Sequence, residues 1–131
     1  MENDSKLILT QNDFHKLSSL VTSTKSDIAE LLEDELSRAS IVPPEKLPND
    51  VVSMNSTVGF VDLDTGKESI VTLVYPYDAK IEENKISILA PVGSALIGLR
   101  VGQVINWPMP HGKEKRLRVV SVIYQPESSG E

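Results

Sequence analysis

Three glycines interrupt the apolar run LAPVGSALIGLRVGQVINW at residues 89–107. Gly93 and Gly98 have the separation found in a loop that cradles phosphate through its backbone N–H groups. Such a loop follows its second glycine with Lys and then Ser or Thr, which reach the terminal phosphates and a magnesium ion. Here Leu99 and Arg100 follow Gly98, so both chemical groups are missing. The helix is also misplaced: Ser94 is expected to cap a single turn, Ala95-Leu96-Ile97, lying between the glycines. The pattern therefore predicts a backbone role. Pro91 ends a strand, Gly98 takes the left-handed position at a helix C-terminus, and Gly102 makes the tight turn into the next strand.

Other reactive residue types are sparse. With no cysteine, disulfides, thiolate metal sites and cysteine nucleophiles are all excluded. The two histidines, His15 and His111, are far apart and lack ligand spacing, so neither a metal nor a cofactor is expected. Net charge is −6, with ten acids against five bases in residues 1–50 and nine against eight in residues 51–131. A duplex-binding protein needs a basic face to neutralise phosphates. The one basic cluster, Lys113, Lys115, Arg116 and Arg118, is broken by Glu114. Specific nucleic-acid binding is not expected. No run of about 18 apolar residues or secretory leader is visible, so a cytoplasmic location is expected.

The first forty residues carry a helical period. Thr10-Gln11-Asn12-Asp13 resembles a capping box, with Asp standing where Glu or Gln is preferred. Phe14, Leu17, Leu20 and Val21 then form one apolar stripe, and Ile28, Leu31, Leu32, Leu36 and Ala39 form another. The polar stretch Thr22–Ser26 separates them. Two helices of about 13 residues, roughly 20 Å each, should pack antiparallel and anchor on something larger. Ile41–Pro48, with three prolines, reads as the end of the second helix and a stiff linker.

From Val51 the period changes to that of strands. Val58–Leu63 and Ser69–Tyr75 flank the turn Asp64-Thr65-Gly66-Lys67. Ile86–Ala90, Val104–Trp107 and Leu117–Tyr124 supply three more runs, the last two joined by a loop at residues 108–113. The expected class is α+β: a short antiparallel helical hairpin (1–42), a proline-rich linker (43–50) and a β-sheet domain with one short helix (51–131).

The motifs DVVSMNSTV (Asp50–Val58), LVYP (Leu73–Pro76), LAPVGSALIGLRVG and YQPE (Tyr124–Glu127) occur in the order found in the Gre transcript-cleavage factors. The chain resembles that family from the second helix to its end, and within it most closely the regulators of nucleoside diphosphate kinase. The resemblance implies a coiled-coil hairpin followed by an FKBP-like antiparallel sheet domain. The partner it implies is bacterial RNA polymerase, bound near the mouth of the secondary channel.

Gre factors carry paired acids at the tip of a long coiled coil, where they help hold magnesium in the polymerase active site. A hydrated Mg²⁺ takes one or two carboxylates plus substrate phosphates. The expected tip here, including Thr24, Lys25 and Ser26, has no carboxylate. Asp27 and Glu30 follow on one helix face, where they also suit the positive end of the helix dipole. The resemblance therefore implies a monomeric, non-catalytic protein that occupies the polymerase channel mouth and competes with active Gre factors. The matching docking positions are Leu89, Ala90 and Pro91, bordered by Ser94 and Arg100. Trp107 is either an interface anchor or a core residue. Two alternatives remain: cleavage stimulation through Asp27 and Glu30, and prolyl isomerisation on an aromatic pocket drawn from Phe60, Tyr75, Tyr77, Trp107 and Tyr124.

Overall fold

The computed structural model describes residues 7–108, 112 and 114–126. It opens with a short strand β1 (Ile8–Thr10), followed by α1 (Gln11–Thr22), α2 (Asp27–Leu36) and β2 (Ser40–Val42). Thr10 Oγ1 accepts the Asp13 N–H at 3.1 Å, forming half of the expected capping box. The Asp13 carboxylate also accepts the Met54 N–H at 3.1 Å.

Leu17 and Val21 bury the α1 stripe, and Ala29, Leu32 and Leu36 bury that of α2. Ala29 takes the place expected for Ile28: a 29–32–36 spacing puts three side chains on one helical face, while Ile28 lies half-exposed outside the core cluster. The helices are also shorter than the sequence suggests. α2 stops at Leu36, so Ala39 reaches the core from the turn beyond it.

β1 and β2 pair in parallel, Ile8 opposite Ser40 and Thr10 opposite Val42. Ile41 and Val42 therefore belong to a strand, where the end of the helical hairpin segment was expected. The next residues are equally fixed: Pro44–Lys46 form a 3₁₀ turn, and Leu47, Val51 and Val52 are buried. Val52 donates to the Leu99 carbonyl at 2.8 Å and accepts from the Gly98 N–H at 2.8 Å. Gln125 Nε2 closes the other side on the Pro48 and Val51 carbonyls.

The main sheet contains β3 (Thr57–Asp62), β4 (Glu68–Val74), β5 (Lys85–Ser87), β6 (Val104–Pro108) and β7 (Glu114–Tyr124), in the order β5-β4-β3-β7-β6. Three of its four pairings are antiparallel; the edge pair β4–β5 is parallel. The strand expected at Ile86–Ala90 is thus confined to β5. Ser87 Oγ accepts the Leu89 N–H at 2.9 Å and turns the chain out of the sheet. Helix α3 (Pro91–Leu96) follows; Gly98 (φ 78°) adopts the left-handed conformation expected of it, and Gly102, expected at a tight turn, also has a positive φ of 93°.

One hydrophobic cluster joins the two parts of the chain. It includes Leu17, Val21, Leu32 and Leu36 from the hairpin, Phe60, Leu73 and Val119 from the sheet, and Leu96, Ile97 and Leu99 from α3 and its exit. Trp107 is only 4% exposed and belongs to this core, although its Nε1 has no hydrogen-bond partner among the described residues.

Candidate functional site

The hairpin tip is held by its own hydroxyls. Thr22 Oγ1 donates to the Ser18 carbonyl, and Ser23 Oγ and Thr24 Oγ1 both donate to the Leu20 carbonyl. These bonds satisfy carbonyls that a helix C-terminus otherwise leaves to water. Ser26 begins α2 as its N-cap, accepting the Ala29 N–H at 3.1 Å. The tip residues are thus committed to ending one helix and starting the next. Lys25 is exposed between them, and Asp27 and Glu30 are exposed on the first turn of α2. Among the described residues no group of three or more His, Asp or Glu is placed to hold a metal ion. His111 lies outside the described residues.

The second group of expected contacts surrounds α3. Leu89, Ala90 and Pro91 are half-buried where the chain leaves β5. Pro91 starts the helix instead of only ending a strand: its fixed φ suits the first helical position, where no N–H is needed. Ser94 therefore lies inside the helix and does not cap it. Its hydroxyl donates to the Pro91 carbonyl at 2.9 Å and the residue is 2% exposed, so it does not border the surface. Arg100 is exposed and forks onto Asp50, with Nε 3.2 Å from Oδ2 and Nη2 3.1 Å from Oδ1. The Asp50–Arg100 pair links the segment before β3 to the segment after α3.

A third feature had no sequence signal beyond the presence of aromatics. At the end of β4 the Tyr75 ring is buried and its hydroxyl points at Asp13 Oδ1, 3.5 Å away. Tyr77 stacks on Tyr75 with ring centroids 6.0 Å apart and an interplanar angle of 10°, yet Tyr77 is 80% exposed. Lys16 Nζ lies 5.8 Å from the Tyr75 ring centroid. Finding this arrangement required the packing of α1 beside the corner that follows β4, which neither local periodicity reveals. The remaining aromatics do not gather there: Phe60 and Trp107 are in the core, and Tyr124 lies beside Asn49, Asp50 and Gln125.

Comparison with known proteins places this architecture. The sequence model described as "Transcription elongation factor, GreA/GreB, C-term" matches residues 47–124. The regulator of nucleoside diphosphate kinase from Escherichia coli strain K12 is 46% identical over 104 residues, covering 79% of this chain and 76% of that protein. Transcription elongation factor GreA from Beijerinckia indica is 34% identical over 118 residues, covering 89% of this chain and 74% of its own length. Among solved structures, the transcription elongation factor GreA/GreB from Nitrosomonas europaea matches with a TM-score of 0.76 and 45% identity, over 92% of this chain and all of that one. The α3 segment that resembled a phosphate loop, the sheet it packs on and the hairpin that precedes them are thus shared with proteins of one kind, and the chain belongs to the GreA/GreB family of transcription factors.

Proposed function

We propose that the protein is a non-catalytic regulator that binds bacterial RNA polymerase at the rim of the secondary channel, working as a monomer in the cytoplasm. Docking uses the surface at Leu89, Ala90 and Pro91, and the hairpin points into the channel without delivering cleavage chemistry. It therefore competes with Gre factors that stimulate transcript cleavage. The observation that carries this reading is the tip. Helices of 12 and 10 residues extend only about 18 and 15 Å. Their connection presents threonine, lysine and serine, and its hydroxyls are already bonded to the helix ends. Asp27 and Glu30 sit behind the tip, where they favour the positive end of the α2 dipole.

Addition of the protein to purified backtracked transcription complexes tests the proposal. The expected result is no release of short 3′ RNA fragments, and a concentration-dependent slowing of the release caused by an active Gre factor. Rapid fragment release by the protein alone, abolished in Asp27→Ala/Glu30→Ala, would establish the opposite activity.

A further inference from the structure

A groove of about 500 Å³ runs between α1 and the corner beyond β4. Lys16, Ser19 and Leu20 form one wall, and Tyr75, Pro76 and Tyr77 form the other. Its size falls in the range of about 300–1,000 Å³ typical of binding clefts. We propose that this groove docks a protein segment presenting one apolar side chain beside a carboxylate. On the function proposed above, that segment belongs to RNA polymerase and forms a contact separate from Leu89–Pro91.

The apolar half of the requirement follows from Tyr77. An aromatic ring that is 80% exposed keeps one face open while the other stacks on Tyr75. Leu20 and Pro76 continue the same apolar floor. Exposed aromatic rings beside a pocket are the kind of group that dominates binding energy in protein interfaces.

The anionic half follows from charge. In a chain of net charge −6, none of the groove-lining residues is acidic. Lys16 makes no ion pair among the described residues and rests over the Tyr75 ring, with His15 beside it on the groove wall. The nearest carboxylates in sequence lie outside the lining: Asp13 is buried, bonded to Met54 and faced by the Tyr75 hydroxyl, and Asp78 follows Tyr77. An incoming carboxylate would meet Lys16 without a competing acid in the lining. Nucleic acid fits less well. A single lysine cannot follow a phosphate backbone, and the exposed acids of α2, Glu30, Glu33 and Asp34, would repel one.

Binding of purified core polymerase by three variants supplies the test. Tyr77→Ala and Lys16→Glu should each weaken binding about tenfold, and Lys16→Glu should also flatten its salt dependence. Ile81→Ala, at a residue 84% exposed and outside the groove, should bind as the parent does. A photo-crosslinker replacing Tyr77 should capture a polymerase peptide with an Asp or Glu within a few residues of an apolar side chain. Unchanged affinity in both groove variants would overturn the groove while leaving the proposed function intact. A crosslink to nucleic acid, or to a peptide without an acid, would also overturn it. Failure of the parent protein to bind polymerase would defeat both proposals.

Discussion

At the scale of single residues, the turn after β3 shows how a charge is used structurally. Lys115 Nζ donates to Asp62 Oδ2 at 2.8 Å, while the Asp64 and Thr65 N–H groups donate to Oδ1 at 2.9 and 3.3 Å. The lysine bond is the largest influence and the Asp64 N–H the next, and together they hold the Asp62 carboxyl below its ordinary range. A depressed folded value means that its stabilising effect is complete above the unfolded aspartate range, at about pH 4, and is lost as pH falls below it. Asp62→Asn should therefore lower the melting temperature at neutral pH and make its decline between about pH 4 and 2 shallower than in the parent. Parallel melting-temperature curves would show that Asp62 does not contribute to the acid sensitivity.

At the scale of elements, α3 depends on close approach. A Cβ on Gly93 would collide with the Ser87 carbonyl and come within 3.1 Å of Leu73 Cδ1. In an ordinary helix interior, Gly→Ala gains about 1 kcal/mol. Here Gly93→Ala should instead cost about 1–3 kcal/mol in denaturant unfolding, because the helix must lift from β5. A neutral or stabilising result would mean that β5 yields readily.

This contact also marks what sequence could and could not reveal. The helical stripes were legible because apolar residues recur over two or three turns, and the β3–β4 hairpin because its strands flank a clear Asp-Thr-Gly turn. β1 and β2 were missed because three residues establish no period, and the prolines after Val42 suggested a linker. Ser94 was misassigned as a cap because its type suits that role, whereas Pro91 starts the helix. The tip composition could be read directly from the chain. The placing of Lys16 against the Tyr75–Tyr77 stack joins residues about sixty positions apart and required the fold.

At the scale of the whole molecule, hairpin and sheet share their interior. Asp13 reinforces that union by taking the Met54 N–H from within α1. Removing the carboxylate leaves a buried donor without this partner, which typically costs about 1–3 kcal/mol. Asp13→Ala should therefore lower overall stability by that amount, measured by chemical denaturation. In the parent, helical circular dichroism and Trp107 fluorescence should change in one coincident transition, as expected when both parts melt as a unit. A helical signal lost well before the tryptophan signal would show that the hairpin unfolds independently.

The parallel pairing of β1 with β2 has a consequence for how such an arm can evolve. Ser40 donates to the Leu7 carbonyl, stitching the two feet of the arm side by side, and Ile8 donates to that of Gly98, fixing the β1 foot to the body. Matched turns added to both helices at the far end would lengthen the arm by about 5.4 Å each without disturbing those stitches. The same platform can therefore carry a probe or a plug, telescoped to different depths on an unchanged mount.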